Sequence, residues 1–182
     1  ILDQPYQFDF YDGGGLTCAF LSFAEVDPDG HVNVTRFGER YDGSGGFINI
    51  AQNTRRLVFS GTFTGGGLEV EVADGRLRIL KEGRFPKFVE RVGQISFNGA
   101  PARGEGHDVT YVTERAVFRL GEDGPVLTEI APGVRLKEDV LDRMGFRPAI
   151  SDSLGPMDER LFRAGPMGLA ARIAQGEREA AA

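Results

Sequence analysis

One stretch limits the folds open to this chain more than any other: GSGGFINIAQNTRRLVFSGTFTGGG, Gly43 to Gly67, which sets glycine-rich loops on both sides of one apolar segment. Within Arg55 to Phe63, Leu57, Val58 and Phe59 follow one another without a polar break, the pattern of a strand covered on both faces in an α/β sheet. Both glycine loops then fall at the ends of sheet elements. At Gly43, Ser44, Gly45 and Gly46 the near absence of side chains lets main-chain N–H groups approach a bound group, and glycine also permits positive φ. A backbone site for an oxyanion or phosphate is built this way. A lone GxGG is more often a plain turn, so the remaining chain has to decide.

At 182 residues, 41% hydrophobic and 26% charged, the chain is long enough for one domain that buries roughly 70% of its unfolded surface. Its 26 glycines, spaced between short apolar runs, indicate frequent sharp turns rather than disorder. A net charge of −6, with no basic cluster longer than Arg55-Arg56, argues against a nucleic-acid partner. The single cysteine, Cys18, excludes an internal disulfide and gives no sign of an oxidising compartment. No run approaches the ~20 apolar residues of a membrane span, and no basic-then-apolar leader opens the sequence. The expectation is a cytoplasmic protein with no membrane contact. The opening ILDQPYQFDFYDGG lacks a methionine and reads like the middle of something longer.

Along the chain, Tyr6 to Tyr11 alternates with Tyr6, Phe8 and Phe10 on one side, which predicts a strand running into the Gly13-Gly14-Gly15 turn. Leu16 to Ala24 is nearly all apolar and predicts a buried central strand, with Cys18 a small core residue. Asp27-Pro28-Asp29-Gly30 predicts a turn between two strands; as a calcium loop it fails, because Gly38 stands where the twelfth-position glutamate belongs. Phe47 to Thr54 predicts a short helix whose first N–H groups face the glycine loop. The alternation of Leu68, Val70 and Val72, then Asp74-Gly75, then Leu77 and Ile79 predicts a hairpin over Leu68 to Lys81. Arg84 to Phe97 reads as extended, with Phe88, Val89 and Val92 inward and Asn98-Gly99 a turn. Val109 to Val112, Ala116 to Leu120 and Val126 to Ile130 predict three more strands. Leu136, Val140, Leu141 and Met144 share a helix face that Gly145 ends, and a last helix spans Gly168 to Glu179.

Several chemistries are missing. His31 and His107 stand apart, without partners at metal-ligand spacing, so no metal site is expected. There is no GxSxG elbow, and the only thiol sits in an apolar run. Neither glycine loop completes a nucleotide fingerprint, since Ile48 occupies the place of the third glycine and no Gly-Lys-Ser/Thr occurs.

Five collinear segments carry a resemblance: FDFYDGGG (Phe8 to Gly15), GSGGFINIAQN (Gly43 to Asn53), VFSGTFTGGGLEVE (Val58 to Glu71), YVTERAVF (Tyr111 to Phe118) and TEIAPGVRLKEDVLDRMGFRP (Thr128 to Pro148). Together they resemble the C-terminal half of the family I CoA-transferases, in the branch of acyl-CoA:acetate/3-ketoacid and propionate CoA-transferases. The resemblance implies an α/β, CoA-transferase-like (NagB/RpiA-like) fold: an open, largely parallel sheet with added β-hairpins and C-terminal helices. It places an amino-terminally truncated domain over residues 1–156 and a helical tail over 157–182. It also implies coenzyme A transfer between short-chain fatty or 3-keto acids, as in short-chain fatty acid and ketone body metabolism. In the family a glutamate attacks the acyl-CoA thioester, and a mixed anhydride and a glutamyl-CoA thioester follow. No cofactor is implied beyond the CoA thioester substrate; the partners are acyl-CoA, a short-chain carboxylate, the upstream half of the enzyme and further copies in a homo-oligomer. The family's glycine segment at the active site matches Gly43, Ser44, Gly45 and Gly46, the expected oxyanion or acyl-CoA loop.

The chain departs from the family at the nucleophile. The family's Glu-x-Gly motif lies before the segment that matches Ile1; Glu82-Gly83 and Glu105-Gly106 lack its third residue and surroundings, so no catalytic residue is expected within these residues. The main expectation is an enzyme portion inactive by itself. A binding or assembly module that keeps the fold is the alternative, favoured by the missing glutamate and opposed by the bare glycine loop. Sugar-phosphate isomerase or deaminase chemistry on the same fold lacks a basic phosphate cluster.

Overall fold

A computed structural model of the protein describes residues 1–174. Helix α1 (Gln4–Asp12) leads into β1 (Cys18–Ser22), followed by the two-residue strands β2 (Glu25–Val26), β3 (Val32–Asn33), β4 (Arg36–Phe37) and β5 (Arg40–Tyr41). Helix α2 (Phe47–Gln52), β6 (Arg56–Ser60), β7 (Thr64–Gly65), β8 (Glu69–Ala73), β9 (Arg76–Lys81) and β10 (Phe85–Pro86) come next. The chain continues through α3 (Gly99–Gly104), β11 (Asp108–Val112), β12 (Ala116–Gly121), β13 (Gly124–Ile130), β14 (Ala149–Pro156) and α4 (Leu169–Ala174).

Six strands form one sheet in the order β1-β6-β11-β12-β13-β14. The pairs β1/β6, β6/β11 and β13/β14 are parallel, while β11/β12 and β12/β13 are antiparallel, so the central sheet is largely parallel and open. The apolar run at β6 occupies an interior position. Leu57 and Phe59 are fully buried, and Val58 on the opposite face is half-buried. Phe59 anchors the core, its ring 5.7 Å from Phe47, 5.1 Å from Phe97 and 5.7 Å from Tyr111. Such aromatic pairs add about 0.5–1.5 kcal/mol each beyond area burial. A second aromatic cluster joins Phe63, Phe88 and Phe118, with Phe88 4.7 Å and 4.8 Å from the other two. The hairpin β8–β9 turns at Asp74 and Gly75, with φ of 55° and 74°, the two positive values that Asp-Gly supplies in a tight hairpin. The Asp27–Gly30 turn joins β2 to β3 as expected.

Several expectations need correction. Tyr6 to Tyr11 is helix, not strand: Pro5 sits in the first turn, and Phe8 meets Tyr11 at helical spacing with rings 5.4 Å apart. Leu16 to Ala24 does hold a strand, but at the sheet edge rather than its centre, and Phe20 is 74% exposed. Cys18 is accordingly only half-buried. Asn98-Gly99 does not merely turn: Asn98 caps α3, its Oδ1 accepting from the Ala100 N–H at 3.3 Å. The helix expected from Leu136 forms as a wide turn over Leu136–Val140 and a tight one over Leu141–Arg143, the Leu141 N–H reaching both Leu136 O and Lys137 O. Strand β14 arises from the polar run AISDSLGP, where no strand was expected. The last helix begins near its expected start, and its expected continuation to Glu179 lies outside the described residues. No helix among the described residues is long and apolar enough to cross a membrane.

Candidate functional site

The glycine loop leads from the β4–β5 hairpin into α2, and α2 leads into the amino end of β6. A helix that feeds a strand in this way begins near the strand's carboxyl end, where open α/β sheets bind ligands. Gly43 (φ 78°) and Gly45 (φ 52°) take the left-handed conformation, and a Cβ built on either would meet no atom within 4 Å. Their backbone therefore faces open space. The Phe47 N–H donates to Ser44 O at 3.0 Å and the Ile50 N–H to Gly46 O at 3.0 Å. Among the described residues, nothing accepts from the N–H groups of Gly45 and Gly46.

Gly46 differs from the expectation of a positive φ: its φ is −85°, and a Cβ there would lie 2.8 Å from the Phe8 ring. Glycine is needed here for close packing. Phe8 thus meets the start of α2, while the Asn49 Nδ2 donates to the Asp12 carboxylate at 3.0 Å and the Asn53 Nδ2 to Asp12 O at 2.9 Å. Helices α1 and α2 lie side by side pointing the same way, so the first residues of α1 lie at the glycine-loop end.

The glutamates of the two Glu-Gly pairs are both engaged elsewhere. Glu82 forms a two-pronged pair with Arg115, at 2.6 Å and 3.0 Å. Arg115 has no solvent-exposed side-chain surface; it also donates to Glu114 at 2.6 Å and to Asp139 O at 3.0 Å, and lies over the Phe63 ring at 4.9 Å. Burial opposes its charge, but the bonds to Glu82 and Glu114 outweigh that and hold its guanidinium above the usual arginine range. Glu114 in turn accepts from the Phe63 N–H at 2.8 Å. Glu105 stands beside His107, 3.2 Å from its Nε2, at a cavity of about 750 Å³ that Leu16, Thr17, Arg55 and His107 line just before β1, β6 and β11. That cavity is at the amino ends of the strands, away from the glycine loop.

A second cavity, about 560 Å³, lies at the carboxyl side of the sheet, walled by Ala24, Phe37, Gly65, Phe85 and Pro86 with Glu25 and Lys87. Sequence reasoning missed Lys87, which belongs to no motif. Its ammonium donates to Phe23 O at 3.2 Å and lies 5.1 Å from the Phe23 ring centre. Burial pulls Lys87 below the usual lysine range, partly countered by Glu114. Glu25 is occupied by the Asn33 side chain and the Gly93 N–H, at 2.7 Å and 2.8 Å, and Lys87 is the cationic residue among those that line the cavity.

Asp27, Asp29 and His31 do come together, contrary to the expectation that the histidines have no carboxylate partners at ligand spacing. The Asp27 and His31 ligand atoms are already in use. Asp27 Oδ1 accepts from the Asp29 and His31 N–H groups, both at 3.1 Å, and His31 Nδ1 accepts from the Gly99 N–H at 3.0 Å. An imidazole accepting at Nδ1 carries its proton on Nε2, which then faces Asp29 as a donor rather than a lone pair. The cluster locks a turn.

No family profile matches the chain. Over 168 residues it is 53% identical to the acetate CoA-transferase YdiF of Escherichia coli O157:H7, a match covering 92% of the chain and 32% of that protein. It is 46% identical to the caffeate CoA-transferase of Acetobacterium woodii over 166 residues, 88% of the chain and 32% of that protein. The chain therefore spans about a third of the length of these relatives. A crystal structure of YdiF as a thioester complex with CoA superimposes with a TM-score of 0.90, over 92% of the chain and 33% of that structure. The decarboxylase AibA/AibB, 21% identical with a TM-score of 0.64 over 86% of the chain and 57% of that structure, shares the fold alone.

Proposed function

The chain is a part-length family I CoA-transferase, and from that premise we propose that it supplies the oxyanion loop and acceptor pocket of an enzyme moving coenzyme A between a short-chain acyl-CoA and a carboxylic acid. The observation that carries this reading is the exposed Gly43–Gly46 backbone with unpaired N–H groups at Gly45 and Gly46. A carboxylate that attacks a thioester makes a tetrahedral oxyanion; collapse expels the CoA thiolate and leaves a mixed anhydride, and thiolate return gives a glutamyl-CoA thioester plus free acid. Backbone donors aimed at that oxyanion are worth about 2.7–4 kcal/mol each. The family resemblance puts the nucleophile in a Glu-x-Gly segment upstream of Ile1, and neither Glu82, held by Arg115, nor Glu105, at the opposite end of the strands, is placed for that role.

The cavity beside Lys87 suits an acceptor that carries one carboxylate on an otherwise apolar body. Hydrogen bonds to charged groups contribute about 1.5–3 kcal/mol, so Lys87→Met in the full-length enzyme is expected to raise KM for the acceptor acid about tenfold or more. The effect on kcat is smaller, the signature of lost uniform binding. An unchanged acceptor KM removes Lys87 from recognition.

Expressed as it stands, the chain is expected to show no CoA transfer from acetyl-CoA to butyrate and no hydroxylamine-sensitive CoA adduct by mass spectrometry. Joined to the coding region immediately upstream, it is expected to turn over. Activity in the chain alone, or an adduct on Glu82 or Glu105, overturns the assignment. Inactivity of both, with normal folding, favours the assembly-module reading.

A further inference from the structure

The sequence holds three lysines, Lys81, Lys87 and Lys137, and one of them stands apart. Lys81 pairs with Glu69 at 2.8 Å and Lys137 with Asp142 at 2.7 Å, and both side chains are largely exposed, at 62% and 71%. Lys87 is half-buried and forms no ion pair among the described residues. The carboxylate whose field favours its charge, Glu114, spends its oxygens on Arg115 and the Phe63 N–H.

The backbone keeps Lys87 in place. Phe85 and Pro86 before it pair with β7, Phe88 after it is fixed in the aromatic cluster, and Lys87 O accepts from the Val26 N–H at 2.7 Å. Glycine at 61 leaves room for the side chain's end, since a Cβ there would come 3.2 Å from Nζ. A lysine desolvated in this way is the form of the residue that acts as a nucleophile. Once neutral, the amine can still donate one N–H to Phe23 O, 3.2 Å away, and keep its lone pair for an electrophile.

We propose that Lys87 is a self-acylation site, modified by a short-chain acyl-CoA when no acceptor acid occupies the cavity of about 560 Å³ that Lys87 lines. The inference rests on the transferase reading above, which brings an acyl-CoA to this side of the sheet. The amine lone pair adds to the thioester carbonyl, the C–S bond breaks, and the CoA thiolate leaves with the electron pair while the nitrogen loses a proton. An amide and free CoA thiol result. An acceptor carboxylate pairs with the ammonium and so protects it. The amide carries no charge for that carboxylate and adds its acyl group to the cavity, so an enzyme left with donor alone closes its own pocket.

The test is incubation of the full-length enzyme with acetyl-CoA and no acceptor, then mass spectrometry after hydroxylamine, which removes thioesters and anhydrides and spares amides. Lys87 should be acetylated at least about tenfold faster than Lys81 and Lys137, a small part of the advantage that holding two reactants together can give. Solvent exposure alone predicts the reverse order. Acetate, which regenerates acetyl-CoA at each transfer, should slow Lys87 and leave the other two unchanged. Turnover should fall in step with the Lys87 amide, and Lys87→Arg should keep through the incubation whatever turnover it starts with. Acetyl phosphate, the same acyl group without CoA, should show no preference for Lys87. Acetylation of Lys87 no faster than of the other lysines overturns the proposal, as does an equal preference with acetyl phosphate or undiminished turnover with the amide in place. The two readings fail separately: selective acetylation in a protein without turnover removes the transferase and leaves the modification, whereas turnover without selective acetylation does the reverse.

Discussion

Arg115→Met should destabilise the chain by about 3–5 kcal/mol, the scale of removing one member of a buried ion cluster, and lower its melting temperature by roughly 10 °C or more at this size. The loss comes from what is left behind. Glu82 and Glu114, 22% and 17% exposed, lose the guanidinium that neutralises both, and Asp139 O loses a donor. Because the penalty lies in uncompensated charge, the triple variant Arg115→Met, Glu82→Gln, Glu114→Gln should recover most of it; glutamine at 114 keeps an oxygen for the Phe63 N–H. Arg115→Lys should recover little, since an ammonium cannot serve Glu82 with two prongs and also reach Glu114. Thermal unfolding of the four proteins decides the matter: a melting temperature for Arg115→Met within about 2 °C of the parent would show that the cluster contributes specificity rather than stability.

Gly45→Val, placed in the full-length enzyme, should lower kcat by roughly a hundredfold or more, the scale of losing one oxyanion donor. A Cβ at Gly45 meets no protein atom within 4 Å, so its branched side chain projects into the space a substrate would use. The cost to folding is the strain of a β-branched residue at φ 52°, about 1–3 kcal/mol. Gly46→Val is the less informative variant, because its side chain collides with Phe8 and shifts α1 whether or not the loop touches substrate. Steady-state kinetics with thermal unfolding as control separate the two effects. Parent-like turnover in Gly45→Val would take the loop out of the mechanism.

Where the sequence pattern had a single structural solution, the fold was legible in it. Asp74-Gly75 between two alternating runs permits little besides a hairpin, and Leu57-Val58-Phe59 cannot be placed on a surface. The aromatic run at Tyr6 to Tyr11 had two solutions. Tyr6, Phe8 and Phe10 satisfy a period of two, Tyr6 with Phe10 and Phe8 with Tyr11 satisfy the helical period, and six residues are too few to separate them. Sheet order was out of reach, because the apolar content of Leu16 to Ala24 does not report the number of neighbouring strands. Strand β14 is held mainly by pairing with β13, with Leu154 alone of its side chains packed on the core among the described residues, so its composition carried little signal. The glycine loop, the candidate site, was visible because bare backbone is a compositional feature. Lys87 and the Arg115 cluster were not, since each gathers residues far apart in the chain.

The sheet's two halves close loops of very different length. Residues 113–115 separate β11 from β12, whereas residues 23–55 separate β1 from β6. By the logarithmic rule for closing a flexible loop, the longer connection costs about 2 kcal/mol more in chain entropy before its first backbone bond forms. The Gly43–Gly46 loop sits inside that longer connection. The pairing of β1 with β6 is therefore made against a larger loop-closure entropy than the pairing of β11 with β12.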